Sequence, residues 1–274
     1  MRPETLTDPA DPRLDPYARM RERDLVGRAG RFVVEGEVTL RLLLGPRSRF
    51  RAESVLLAPE RLPGLAREAD DCPAPVYLAD KPVMSAVTGF PIHRGVLAIG
   101  LRGEAPAPEA LVPPEGPALV LGLAGLTNHD NVGAAFRNAA AFGADAVLLD
   151  AASCDPLYRK AIRVSAGAAL ITPFARLQAG ADWLALADRL RLDALALSPG
   201  AGEELGAAPL PARALLLLGT EGPGLEAALL GRARSLRIPM AGDFDSLNVA
   251  TAAGIALHAV ARAQGRLRGF NTER

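Results

Sequence analysis

Five side chains stand out as able to do chemistry together: Asn131 and Arg137, Glu221, and Ser246 with Asn248. They sit in three polar stretches, each directly after a short apolar run. The first is Leu126 to Arg137 (LTNHDNVGAAFR). Asn131 is expected to open a helix, Gly133 permits close backbone approach, and Arg137 falls about two turns further in. A helix start with an arginine nearby suits a phosphate or another anion, although a capped helix with a solvated arginine has the same sequence. The second stretch is Gly219 to Leu225 (GTEGPGL), whose glycines let backbone groups face a ligand. No Lys-Ser or Lys-Thr follows it, so it is not a phosphate loop. Glu221 would repel a polyphosphate and suits a ligand with cationic or hydroxyl groups. The third, Ile238 to Ala259, ends a strand at Pro239 and opens an alanine-rich helix at Ser246-Leu247-Asn248. Ser246 and Asn248 there serve either as helix caps or as polar groups turned to a ligand.

The elements needed to position these loops are legible. The second half reads as strands at Ala118–Ala124, Ala146–Asp150, Ala194–Leu197, Ala214–Leu218 and Leu236–Pro239. Helices are expected at Asn131–Phe142, Leu157–Ser165, Trp183–Leu190, Glu226–Arg232 and Leu247–Arg262. The plain leucine run before Gly219 suits a strand buried on both faces. Alternation of this kind builds a mostly parallel sheet with helices on its faces, and the three loops would then share one sheet edge, where open α/β sheets bind ligands. No GxGxxG follows the first strand, which argues against a dinucleotide site.

The first half is a separate small α/β unit, with strands at Phe32–Glu35, Ser54–Leu57, Ala74–Leu78 and Gly95–Leu101 and helices over Val38–Leu44 and Lys81–Val87. The expected organisation is a polar extension over 1–27, a small α/β domain over 28–104, a Pro-rich linker over 105–117 and a second domain over 118–274. From Arg13 to Arg51 there are ten arginines against five acids in a chain of zero formal net charge. That local surplus makes Arg28, Arg31 and Arg41 candidates for contact with RNA backbone, with internal ion pairs as the competing reading. Arg159 and Arg163, on the basic helix after Asp155-Pro156, are further candidates.

Composition closes several routes. The chain has 274 residues, 49% of them hydrophobic, which is enough to build a substantial core. Cys72 and Cys154 form no disulfide framework and are expected to be reduced. With His93, His129 and His258 they offer no metal-ligand spacing, so no metal is expected. The N-terminus has acids and prolines where a signal peptide needs an apolar run, and no stretch reaches the ~20 apolar residues that span a bilayer. A cytoplasmic location is expected.

Taken in order, the three loops resemble the motifs of a known family. Asn131-Val132-Gly133 with Arg137, Ala139 and Phe142-Gly143 is similar to motif 1 of the SpoU/TrmH branch of SPOUT RNA methyltransferases. Leu218 to Leu225 resembles motif 2, and Ile238-Pro239-Met240 with Ser246 to Val249 resembles motif 3. Val33 to Glu37 and Arg94 to Ala98 resemble the small substrate-binding domain often placed ahead of that fold. The resemblance implies a ribose 2′-O-methyltransferase of rRNA or tRNA using S-adenosylmethionine, with a deep C-terminal trefoil knot and a homodimeric assembly. It places the cofactor against Leu218, Gly219, Gly222, Ile238, Met240 and Leu247, and the chemistry at Asn131, Arg137, Glu221, Ser246 and Asn248. The chain departs from the family at Asn128-His129, where an acidic or amide residue followed by proline is common. His129 is expected to be a loop residue, and Asp243 and Asp245 make the third loop unusually acidic. The rival readings are a non-catalytic dimeric RNA-binding scaffold on the same fold and a nucleotide-dependent α/β enzyme.

Overall fold

A computed structural model describes residues 3–18, 30–207, 209–242 and 246–267. Arg28, Asp243 and Asp245 lie outside the described residues. The chain divides into two compact units, 1–104 with 155–171, and 105–154 with 172–274.

The second unit is built on a seven-stranded sheet. Its strands are β6 (Ala118–Leu123), β7 (Ala146–Leu149), β8 (Phe174–Arg176), β9 (Asp193–Leu197), β10 (Glu203–Glu204), β11 (Arg213–Leu218) and β12 (Arg234–Arg237). They lie in the order β10-β12-β9-β11-β6-β7-β8, and every pairing is parallel. The leucine run of β11 sits between β6 and β9, and Leu215, Leu216 and Leu217 are fully buried. Full burial of such a side chain contributes roughly 1.5–3 kcal/mol. This satisfies the expectation drawn from its unbroken apolar pattern. Helices α4 (His129–Ala141), α6 (Trp183–Leu190), α7 (Ala227–Leu230) and α8 (Val249–Ala263) belong to this unit. Helices α4 and α8 approach closely because Gly254 faces Asn138, whose Nδ2 donates to the Ala250 carbonyl at 2.7 Å.

The expected strand to Pro239 ends two residues sooner, at Arg237. Strands β8 and β10 have no counterpart in the sequence reading, being three and two residues long and too short to show a period.

The first unit has a mixed five-stranded sheet. Strands β1 (Glu4–Thr5), β2 (Arg31–Glu35), β3 (Arg51–Leu57), β4 (Val76–Leu78) and β5 (Val96–Leu101) lie in the order β1-β4-β3-β5-β2. Strand β5 runs antiparallel to both β2 and β3. Helices α1 (Glu37–Leu44), α2 (Ala66–Asp70), α3 (Lys81–Thr88) and α5 (Arg159–Val164) belong here.

Two expected boundaries need correction. The segment over 1–27 is not simply a polar extension, because Leu6, Leu14 and Tyr17 are buried in this unit's core and β1 pairs with β4. The Tyr17 hydroxyl shares a 2.8 Å hydrogen bond with Ser54, and burial pushes its ionisation upward. Three apolar residues separated by turns carry no periodicity, so the polar composition around them hides their role. Residues 155–171 also belong with the first unit rather than with 118–274. Gly167 lies against Leu42 and Thr39, the Arg49 amide donates to the Leu170 carbonyl at 3.0 Å, and Arg159 pairs with Glu35 at 3.2 Å. Among the described residues no helix is long and apolar enough to cross a membrane.

Candidate active site

The first loop leaves β6 at Leu123 and is tied down before the helix begins. The Gly125 amide donates to the Asp150 carboxylate at 2.9 Å and the Leu126 amide to the Ser153 hydroxyl at 3.0 Å. Asn128 caps α4, accepting from the Asp130 amide at 2.8 Å. Asn131 therefore does not open the helix, as its sequence position suggested. It lies inside the first turn with only 6% of its surface exposed. Burial of an amide requires partners, and those partners come from the other two loops.

The Asn131 Nδ2 donates to Glu221 Oε1 at 2.7 Å. The Asn248 Nδ2 donates to Asn131 Oδ1 at 2.9 Å and to the same Glu221 oxygen at 3.2 Å. These contacts close a triangle between the loops after β6, β11 and β12. Asn248 also caps α8, its Oδ1 accepting from the amides of Ala250 at 2.9 Å and Thr251 at 3.3 Å. Its two roles use opposite ends of one amide, so capping and network are compatible. A carboxylate acceptor makes these bonds stronger than neutral ones.

Beside the triangle lies a cleft of ≈ 710 Å³, counted to its open mouth. All six residues expected to hold a cofactor line it: Leu218, Gly219, Gly222, Ile238, Met240 and Leu247. Ser246 and Glu221 are on its wall as well. Gly219 has a steric reason to be glycine. A Cβ there would stand 2.2–2.4 Å from the backbone of Gly224 and Leu225. Gly222 and Gly224 have φ of 86° and 71°, a region in which side-chain-bearing residues are strained. Sequence reasoning missed Leu197, Ser198 and Pro199, which complete the wall. Leu197 ends a strand of the same parallel sheet, so the rule that ligands gather at that edge could have found them.

Arg137 is not part of this cluster. It is exposed and makes no hydrogen bond or ion pair among the described residues. Six residues beyond Asn131, it projects about 120° around the helix from it. The arginines expected to meet RNA are mostly engaged within the first unit. Arg31 forms two bonds to Glu53, at 2.7 and 2.6 Å, and Glu53 sits at the register shift of β3 between Ala52 and Ser54. Arg41 reaches Glu68 at 2.8 Å, and Arg159 meets Glu35 while lying 4.6 Å from the Phe90 ring centroid. For Arg31 and Arg41 the ion-pair reading describes the structure, although such surface pairs are weak, and Arg159 is held by its acid rather than left on a solvated face. Arg163 is exposed and has no such partner among the described residues.

Residues 118–258 match the SpoU rRNA Methylase family. The chain belongs to this family. An uncharacterized tRNA/rRNA methyltransferase, Rv0881 of Mycobacterium tuberculosis, is 39% identical over 92% of this chain and 89% of its own length. The 23S rRNA (guanosine-2′-O-)-methyltransferase RlmB of Pseudomonas syringae pv. tomato is 35% identical over 65% of this chain and 73% of its own. A crystal structure of an RNA 2′-O ribose methyltransferase superposes with a TM-score of 0.77 at 28% identity, covering 96% of this chain and 100% of that one. The S-adenosylmethionine complex of the SpoU methyltransferase AviRb from Streptomyces viridochromogenes also shares the fold, with a TM-score of 0.77 at 20% identity over 93% and 97% of the two chains. The family match spans the triangle and the cleft, and also includes residues 155–171.

Proposed function

We propose that this RNA methyltransferase transfers a methyl group from S-adenosylmethionine to a ribose 2′-hydroxyl of rRNA or tRNA. The observation that carries the reading is the Asn131–Glu221–Asn248 triangle, whose Glu221 lines a glycine-walled cleft. Similarity to the RlmB relative favours the ribose hydroxyl as acceptor. The cleft fits the cofactor chemically. Leu218, Ile238 and Leu247 give it apolar walls, and Gly219 and Gly222 leave backbone groups accessible. The Glu221 carboxylate supplies a negative charge toward a sulfonium. S-adenosylmethionine bound there supplies an already activated methyl group.

The protein is left with orientation and proton management. Asn131 and Asn248 hold the Glu221 carboxylate at a fixed place, and Ser246 on the cleft wall offers a hydroxyl to orient the ribose. Positioning of this kind accounts for much of the rate in a transfer with an activated donor. Arg137 brings a guanidinium, which has donors and no acceptor. Its role in this reading is to hold RNA phosphate and stabilise the developing alkoxide. Because it projects away from its own triangle, it would serve the site of a second copy. A homodimer, a C-terminal trefoil knot and a cytoplasmic location belong to the same reading.

The test separates binding from chemistry. Calorimetry with S-adenosylmethionine and methyl transfer to rRNA and tRNA are measured on the wild type, Arg137→Ala and Arg137→Lys. The expected result is unchanged cofactor affinity with transfer reduced at least a hundredfold in the alanine variant. Near-normal turnover in both variants removes Arg137 from the mechanism. A wild type that binds no cofactor supports the scaffold reading.

A further inference from the structure

The loop that launches α4 is held by a clasp that takes no part in the cofactor cleft. Two successive amides, on either side of the left-handed turn at Gly125 (φ 71°), meet one carboxylate and one hydroxyl. The Gly125 amide donates to Asp150 Oδ2 at 2.9 Å and the Leu126 amide to Ser153 Oγ at 3.0 Å. Asp150 follows β7 directly. Its Oδ1 accepts from the Ser153 amide at 2.8 Å and from the Ser153 hydroxyl at 2.7 Å. Ser153 is only 4% exposed, and a buried hydroxyl needs partners on both sides. Donating to a carboxylate also makes that hydroxyl a better acceptor for the Leu126 amide.

Backbone bonds close the clasp around these side chains. The Ala124 amide donates to the Leu218 carbonyl at 2.9 Å, the Asp150 amide to Leu123 at 3.1 Å and the Cys154 amide to Leu126 at 2.8 Å. Behind them Arg176 of β8 gathers the same turn, its Nη1 donating to the carbonyls of Asp150 at 3.0 Å and Ser153 at 2.6 Å. Only Thr127 then separates the clasped Leu126 from Asn128, the cap of α4, and Asn131 lies in the first turn beyond. The entry of α4 is thereby tied to the ends of β6, β7 and β11. The cofactor cleft is walled instead by the ends of β9, β11 and β12, the loops after them and the start of α8. Among the described residues none of the first loop lines it.

We infer that Asp150 and Ser153 are positioning residues for methyl transfer, acting through Asn131 and touching neither substrate nor cofactor. The inference rests on the methyl-transfer reading. The loop they hold leads to the triangle and not to the cleft. Slackening it should therefore move Asn131 away from Glu221 and Asn248 while the cofactor walls stay in place. A shift of about an ångström in a group that orients reactants can cost about a hundredfold in rate. A clasp that served the fold alone would be felt by cofactor binding and transfer alike.

The test compares Ser153→Ala, Asp150→Ala and Asp150→Asn with the wild type, each as the full chain. Turnover is measured at saturating S-adenosylmethionine on rRNA and tRNA lacking modifications, and cofactor affinity by calorimetry. Amide exchange over 124–131 is read by mass spectrometry. Ser153→Ala and Asp150→Ala are expected to lower turnover by about tenfold to a hundredfold, with cofactor affinity within about twofold of wild type and faster exchange over the loop. Asp150→Asn, which retains one acceptor oxygen, should fall between Asp150→Ala and wild type. Asp182→Ala, which removes the cap of α6, should lower the melting midpoint by about 2–4 °C and leave turnover unchanged. Turnover and affinity lost in the same proportion, or variants too unfolded to bind the cofactor, give the clasp a role in folding only and overturn the assignment. So does a matching loss of turnover in Asp182→Ala. Lost turnover without faster exchange overturns the route through Asn131. Near-normal turnover in Ser153→Ala and Asp150→Ala overturns the assignment and leaves the methyl-transfer reading standing. A wild type that transfers no methyl group to either RNA overturns that reading and this one with it.

Discussion

Asn248 does two jobs with one amide, and a short series of substitutions separates them. Serine at 248 keeps an acceptor for the start of α8 but loses the donor to Asn131 and Glu221. The expected cost is about 1 kcal/mol, since water can replace part of the bond to an exposed carboxylate. Alanine loses the cap as well, which adds about 1 kcal/mol. Aspartate keeps the cap and places a second carboxylate where the Nδ2 stood, 3.2 Å from Glu221 Oε1. Two unit charges at that separation repel by about 1 kcal/mol in water and about 5 at an effective dielectric of 20, and exposure favours the lower end. The predicted order at pH 7.5 is therefore wild type, serine, then alanine with aspartate, the last two about 2–3 kcal/mol below wild type. For units of this size the melting midpoint should fall by about 2–4 °C per kcal/mol. Aspartate alone should recover with acid. Proton uptake by the crowded pair is favoured in the folded state, so its pKa rises and the deficit shrinks as pH falls through that value. Midpoints measured from pH 4 to 8 check this. Equal midpoints for serine and alanine would refute the cap, and an aspartate variant tracking serine at every pH would refute the network.

Gly219→Ala should cost at least tenfold in S-adenosylmethionine affinity by calorimetry, because its Cβ meets backbone rather than a movable side chain. Tyr17→Phe should cost about 1 kcal/mol in urea denaturation by leaving the Ser54 hydroxyl without its partner. The wild type should also lose stability above about pH 10, because the buried phenol resists ionisation while the unfolded one does not. Tyr17→Phe should flatten that alkaline slope.

The second unit is largely readable from sequence because its central strands β6, β7 and β11 are apolar runs and its ligand loops fall at strand ends. The helix Trp183–Leu190 matches its expected bounds to the residue, helped by Asp182, whose carboxylate caps it and is held below its usual range by the amides of Leu184 and Ala185. Legibility fails where structure depends on distant partners. Nothing local shows that Asn131 is buried by Glu221 and Asn248, 90 and 117 residues away in the chain. The departure of residues 155–171 to the first unit is a tertiary choice made by Gly167, Arg159 and Asp155, the last paired with Arg102. Charge counting also misleads, since Arg31, Arg41 and Arg159 have acids waiting for them that lie far away in sequence. Arg94 stands out in the sequence only as part of a motif, and its place over Gly36 needs the fold to be seen.

The central claim is tested most directly by the product. Wild-type protein, S-adenosylmethionine with a labelled methyl group and rRNA or tRNA lacking modifications are incubated, and the RNA is digested to nucleosides for mass spectrometry. The account predicts label on the ribose, as a 2′-O-methylnucleoside whose phosphodiester resists alkali. Label on a base, or none transferred by protein that binds the cofactor, would contradict it.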